Sequence, residues 1–395
     1  MDLRHDVRHA WQRLFGNPTF SATTLITLAI GTGATTALAV MRTLPILASS
    51  QTRPAPAVTR IADGVFLFAT LPYGDVGLDG NAIAIVGRDG VLVFDSNGTP
   101  AASAAVLAGI RAVTPLPVRY VVNSHWHWDH WYGTETYRQA FPDVRVVAHE
   151  KTRMMMIGPA LAFNQPGIER QLPAYLKAIE QKIAALEATN PSAPDLPTLR
   201  ARLEEDTFFV HQKTNVHLVF PDTTYADRLT IDLGGRRVQL RHVDRAVTPG
   251  DTFLYLPDDR IVVTGDLLVN PIAFALSSYP TGWLRTLEQI DALDAETIVP
   301  GHGEPLHTKE LLRAHMAVFR ELLQRGAEAR ARGLDPDEAK AAILPQLHDL
   351  MIAMTHDDPQ LNRDFQVYLV DWYLHRVYDE LNGPLTDEIA PIPRS

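Results

Sequence analysis

The eight residues SHWHWDHW, Ser124–Trp131, limit the possible folds more than any other stretch of the chain. They set His125, His127, Asp129 and His130 within six positions, and all four side chains carry lone pairs that bind metal ions. In a chain of 395 residues with 15 histidines, the pattern H-x-H-x-D-H arises by chance in about one such chain per thousand. The cluster follows directly on VRYVVNS (Val118–Ser124), a β-branched run that reads as a strand. On extended backbone His125, His127 and Asp129 project to one side. His130 joins them only if the chain turns there, and YGTETYRQAF just beyond fits a turn into a helix. One metal needs three or four ligands and two metals need more. The fold must therefore bring further ligands from distant sequence to the end of this strand.

Other strand ends supply matching chemistry. From Ile61 onward, short β-branched runs alternate with helical stretches, the mark of an α/β fold. VLVFD (Val91–Asp95), VRVVAH (Val144–His149), RRVQLRHV (Arg236–Val243) and TFLYLP (Thr252–Pro257) read as strands, and SAAVLAGIRAV (Ser103–Val113) as a helix. RIVVTGD (Arg260–Asp266) ends on Asp266, and TIVPGHG (Thr297–Gly303) sets His302 between two glycines that let the backbone turn sharply. Residues just beyond strand carboxyl ends gather at one rim of an α/β fold. Asp266 has two carboxylate oxygens and can bridge two metals. Gln165 to about Asp206 reads as mostly helical, and so does nearly everything after His307.

Composition narrows the chemistry. There is no cysteine, so thiolate metal sites, disulfides and cysteine nucleophiles are excluded. A site of His and carboxylates suits zinc, iron or manganese. The formal net charge is −10 with no basic stripe, which argues against a nucleic-acid partner. No G-x-S-x-G or P-loop competes for the catalytic role. A bound metal would lower the pKa of its water towards neutrality, and Asp129 is placed to orient that water or take its proton.

The N-terminus reads separately. Phe20 to Met41 holds no charged residue, long enough for a bilayer span. Arg4, Arg8 and Arg13 before it favour an inside N-terminus and an exported remainder on a bacterial periplasmic side. The run reads as a membrane anchor, or as a signal removed near Ala48-Ser49-Ser50, with a buried soluble helix as the third reading. SSQTRPAPA (Ser49–Ala57) reads as a Pro-rich linker. The first helix resembles that of ABC-transporter permeases of the macrolide-exporter type, and nothing later does.

The motifs HWHWDH (His125–His130), VTPGDTFLYLP (Val247–Pro257), VTGD (Val263–Asp266) and PGHG (Pro300–Gly303), in this order and strand context, resemble the metallo-β-lactamase-fold superfamily. The resemblance runs from about Ile61 to Leu306. It implies a four-layered αβ/βα sandwich over residues 58–310 with a helical insertion at about 160–210. Residues 1–57 precede it as anchor or signal plus linker, and 311–395 follow as a helical extension. It also implies that VLVFDSNG (Val91–Gly98) carries an Asp tying down the metal loop. A first metal would be held by His125, His127 and a histidine whose place is taken by Val247. A second would be held by Asp129, His130 and His302, with Asp266 between them. His242 and Asp244 are the nearby candidates to replace the lost ligand. The expected function is a metal-dependent hydrolase, one or two zinc ions its first candidate cofactor, acting on an ester, lactam, thioester or related bond of a small molecule. The alternatives are a metal-binding member without turnover, motivated by Val247, and an iron-dependent oxidoreductase. Trp128 or Trp131 is expected to line the pocket, while the loop holding Tyr73 and Asp75 reads as an ordinary turn.

Overall fold

In the first sheet, alternate strand residues are apolar on both faces, and this dictates where it sits. The computed structural model describes residues 53–70 and 78–389. Seven strands form this sheet in sequence order: β1 (Ala57–Ala62), β2 (Val65–Ala69), β3 (Ala82–Val86), β4 (Val91–Phe94), β5 (Val118–Val122), β6 (Arg145–His149) and β7 (Thr223–Tyr225). β1 to β4 pair antiparallel, and β4 to β7 pair parallel. A second sheet has five strands in the order β12 (Thr297–Val299), β11 (Ile261–Val263), β10 (Phe253–Leu256), β9 (Arg237–Arg241), β8 (Arg228–Asp232). Only β11 and β12 are parallel there.

Three apolar clusters stack the layers. Val65, Leu67, Ile83, Ile85, Leu92, Phe94 and Val122 of the first sheet meet Val238, Leu240, Leu254, Leu256 and Val263 of the second. The residues between them in sequence, such as Phe68, Ala82, Ala84, Val91 and Val93, face the other way. They pack on Val106, Leu107 and Ile110 of α1 (Pro100–Val113) and on Tyr137 of α2 (Thr134–Ala140). Phe253, Tyr255, Val262 and Ile298 of the second sheet pack against α7 (Pro280–Asp291) and against α8 (Glu310–Ala331) and α12 (Trp372–Asn382). A period of two on each strand thus gives helix, sheet, sheet, helix.

The helical run after β6 begins earlier than its sequence pattern suggests. It holds α3 (Glu150–Ile157), α4 (Pro159–Pro166), a π turn at Gly167–Gln171, α5 (Leu172–Thr189) and α6 (Leu196–Thr214). Met155 and Met156 are buried, whereas Met154 is exposed. The C-terminal run adds α9 (Pro336–Ile343), α10 (His348–Thr355) and α11 (Pro359–Asp364) between α8 and α12.

The expected linker is partly structured. β1 starts at Ala57, and the Arg53 guanidinium, nearly buried, lies 3.9 Å from the carboxylate of Asp79. No helix among the described residues is long and apolar enough to cross a membrane. The apolar run Phe20–Met41 and the residues Tyr73 and Asp75 lie outside the described residues.

Candidate metal centre

Four strand ends converge on one rim. β4 leads into Asp95, β5 into Ser124 and His125, β11 into Asp266, and β12 into His302. The turn that His130 required is a 3₁₀ turn at Trp128–His130. It swings the His130 imidazole back beside Asp129 and Asp266. His130 Nε2 lies 3.4 Å from Asp129 Oδ2 and 3.2 Å from Asp266 Oδ1. His302 Nε2 lies 3.1 Å from Asp129 Oδ2 and 3.4 Å from Asp266 Oδ1. His125 Nε2 and His127 Nδ1 lie 3.5 and 3.8 Å from Asp266 Oδ2. Asp266 therefore stands between a group of Asp129, His130 and His302 and a group of His125 and His127. All six residues singled out in the sequence meet here.

Local backbone explains the closeness. A Cβ on Gly301 would sit 2.1 Å from Asp266 Oδ1, so only glycine lets the PGHG loop close over that carboxylate. Asp95 takes a left-handed backbone, φ 61°, a conformation Asp tolerates better than most residues. Its carboxylate then accepts from Ser124 N (2.7 Å), Ser124 Oγ (2.8 Å) and His130 Nδ1 (2.8 Å). Ser124 Oγ also meets His125 Nδ1 at 2.9 Å. With their Nδ1 atoms engaged, both rings aim Nε2 at the centre, the second-layer arrangement common around metal-bound imidazoles.

The electrostatics fit a cation. Burial, reinforced by His130 and His127, pushes His125 down to about 3, so its ring is neutral with a free lone pair. Burial opposes the charge on Asp129 and on Asp266, but His130 and its neighbours outweigh it and hold both carboxyls well below their usual range. Burial also opposes a charge on His130, and Asp266, Asp129 and Asp95 outweigh it, raising that imidazole well above its ordinary value. The acidic cluster thus draws positive charge, which a metal ion supplies by displacing protons. His125 Nε2, His130 Nε2 and Asp266 Oδ1 are buried without any hydrogen-bond partner. Orphaned buried polar atoms are rare, and these three, all within 4.8 Å of one another, fit a bound cation that displaces the proton from His130. Two ligand groups satisfy metal spacing, His125–His130–Asp266 and Asp129–His130–His302.

The residues around the expected lost ligand are placed as follows. Val247 is buried in the apolar cluster with Phe253, Leu276 and Trp283. His242 stacks on His149, ring centroids 4.0 Å apart, and its Nδ1 meets the carbonyl of Asp251 at 2.9 Å. Asp244 is paired with Arg285 and caps the amide of Arg245. Neither joins the ligand groups. The polar side chain of this turn that sequence reasoning missed is Asp251. It is buried, takes hydrogen bonds from Thr248 N (2.8 Å) and Thr248 Oγ1 (2.9 Å), and lies within Coulombic reach of Asp266. Burial lifts its pKa to about 7. The only signal in the sequence was its place inside VTPGDTFLYLP, where a turn Asp looks ordinary.

A narrow cleft opens beside His127 and Asp129, lined by Trp126, Trp128, Phe163, Phe274 and Leu276 and by the polar Asn164 and Ser277. Trp126 and Trp128 both line it, while Trp131 is fully buried and donates its Nε1–H to the carbonyl of Trp126 at 2.9 Å. A broader depression around Glu296, His307 and Arg313 shares no residue with this cleft.

Fold and centre together define a class. The chain belongs to the metallo-beta-lactamase superfamily, whose family model matches residues 75–302, more than half its length. It is similar to the linear primary-alkylsulfatase of Pseudomonas sp. (strain ATCC 19151), 24% identical over 282 residues, covering 66% of this chain and 49% of that protein. The chain therefore spans about half the length of this relative. Among solved structures it is similar in fold to the stereoselective inverting sec-alkylsulfatase Pisa1 from Pseudomonas sp., with TM-score 0.56 and 18% identity, covering 83% of this chain and 50% of that one.

Proposed function

We propose that this protein is a metal-dependent hydrolase whose substrates are esters of apolar alcohols, with alkyl sulfate esters the first class to test. The observation that carries the reading is the set of orphaned buried polar atoms on His125, His130 and Asp266 beside a cleft lined largely by aromatic and aliphatic side chains. Asp129, His130 and His302 would hold one ion, and His125, His127 and Asp266 a second, with Asp266 shared. When bound, such an ion acts as a Lewis acid and lowers the pKa of water. Asp129 reaches both the ligand cluster and the cleft, so it can orient the attacking water. Trp126, Trp128, Phe163, Phe274 and Leu276 line the narrow cleft beside that carboxylate, where they would exclude bulk water and contact the apolar part of a substrate. The alkylsulfatases to which the chain is similar support a sulfate ester as the scissile group.

The test is hydrolysis by metal-reconstituted protein of dodecyl sulfate, short alkyl sulfates, a carboxylic ester and a β-lactam. The expected result is turnover of an alkyl sulfate that rises with chain length and is abolished in Asp129→Ala. Turnover of the β-lactam alone would replace the proposed substrate class. Bound metal without turnover of any of them would favour a member without hydrolytic activity.

A further inference from the structure

The three residues Asp79-Gly80-Asn81, just before β3, are used by no step above, yet they touch both loops that build the Asp129–His130–His302 group. Asn81 N donates to Gly301 O at 2.7 Å. Its side-chain amide donates to Pro300 O at 2.9 Å and to Gly303 O at 2.8 Å. One buried residue thus spends three donors on three of the four residues of the PGHG loop, on both sides of His302. Its neighbour Gly80 holds the other loop. Gly80 N donates to Asp129 O at 3.2 Å, and Asn97 Nδ2 donates to Gly80 O at 2.9 Å. A Cβ on Gly80 would lie 2.5 Å from Cε1 of His130, so the imidazole rests directly on this peptide.

The geometry matters because the two loops hang from different sheets. Asp129 and His130 follow β5 in the first sheet, and His302 follows β12 in the second. Between the sheets lies apolar packing, which is non-directional. Metal ligands must meet within about 0.2 Å of fixed distances. Directional bonds across the sandwich are what can hold loops to that tolerance. The partners of the Asn81 amide are all carbonyl oxygens, so the position requires a pure donor pair. A carboxylate of the same shape would face them with lone pairs.

We infer that Asn81 is a positioning residue that fixes His302 against Asp129 and His130, and so governs retention of the metal at that group. The inference rests on the reading of this centre as a metal site. It is tested on metal-free full-length protein titrated with zinc(II) against a chromophoric chelator, and with cobalt(II) by its visible absorption. His302→Ala and His125→Ala first identify which titration step belongs to which group. Asn81→Ala and Asn81→Asp are expected to weaken the step that His302→Ala weakens by about 10–100-fold. They should leave the step lost in His125→Ala in place. Melting of the metal-free variants runs in parallel, and Asn81→Ser, which retains one donor, takes their place if they fail to fold. Wild-type zinc and cobalt curves in the Asn81 variants, even with a lowered melting temperature, would overturn the inference and leave Asn81 a stabilising contact only. Absence of metal uptake by the wild-type protein would overturn the metal reading itself, and this inference with it.

Discussion

Replacing the carboxylate of Asp95 by an amide changes one atom and should reverse the tautomers of two histidines. Asp95 Oδ1 accepts from Ser124 N at 2.7 Å, so in Asp95→Asn the amide oxygen must stay there. The amide nitrogen then takes the place of Oδ2, which now meets Ser124 Oγ and His130 Nδ1, each at 2.8 Å. In the metal-bound wild type His130 would donate from Nδ1 to this oxygen and keep its lone pair on Nε2 for the ion. Ser124 donates to the same oxygen and accepts from His125 Nδ1 at 2.9 Å, so His125 also keeps its lone pair on Nε2. An amide –NH2 in that place donates to both. His130 must then carry its proton on Nε2, and the Ser124 proton turns to His125 Nδ1 with the same effect. Both ligand atoms become donors pointed at the centre. Losing the support of one outer carboxylate typically costs 10–100-fold in metal affinity. With two ligands affected, a fall of about 100-fold or more is expected, about 3 kcal/mol. Asn tolerates the left-handed backbone at this position, so folding is expected to survive. Ser124→Ala cuts only the branch to His125 and should cost about 10-fold. The assay is competitive zinc titration of metal-free protein, with stoichiometry by elemental analysis. Unchanged affinity in Asp95→Asn, or a larger loss in Ser124→Ala than in Asp95→Asn, would refute the relay.

Further outcomes are open to measurement. Asp251 has its pKa raised by burial to about 7 from 3.8, so the folded state holds this proton more tightly than the unfolded chain. Its contribution to stability is therefore lost as pH rises from about 4 to about 7, by on the order of 4 kcal/mol at most. Asp251→Asn should flatten that part of the denaturant-midpoint profile of the metal-free protein, and an unchanged slope would show that Asp251 is not its source. Lys213 on α6 is buried with no hydrogen-bond partner, its Nζ 3.4 Å from the ring centre of Trp128 and 3.8 Å from that of Tyr132. Burial drives its pKa well below the usual lysine range. Lys213→Met removes an amine whose burial costs more than two ring contacts return, so a gain of about 1 kcal/mol in chemical denaturation is expected. A loss would show that the ring contacts dominate. Phe163→Ala and Phe274→Ala should raise KM for dodecyl sulfate by roughly 10-fold each, with little effect on the shortest alkyl sulfate turned over. Equal effects on both substrates would remove these rings from the apolar wall.

Local pattern determined the elements and the chemistry. The short β-branched runs VLVFD and VRYVVNS, the helix around Ser103 and the ligand types at 125, 127, 129, 130, 266 and 302 were all legible, because side-chain pattern and donor chemistry are local properties. β1 at the end of the expected linker was not legible, since Ala57–Ala62 is exposed on most of its length and carries little apolar signal. Asp251 was not legible either. A turn aspartate and a buried carboxylate coupled to Asp266 look the same until the fold removes water from one of them. Nor could the sequence show that Asn81 joins residues 219 and 222 positions away. Distances between loops on different sheets depend on how two apolar faces settle against each other, and no run of neighbouring residues encodes that. The sequence by itself determined which atoms could bind a metal. Only the tertiary structure decided that Asp266 stands between them and that a peptide before β3 holds them in place, because directional contacts across the sandwich exist only once both sheets have packed.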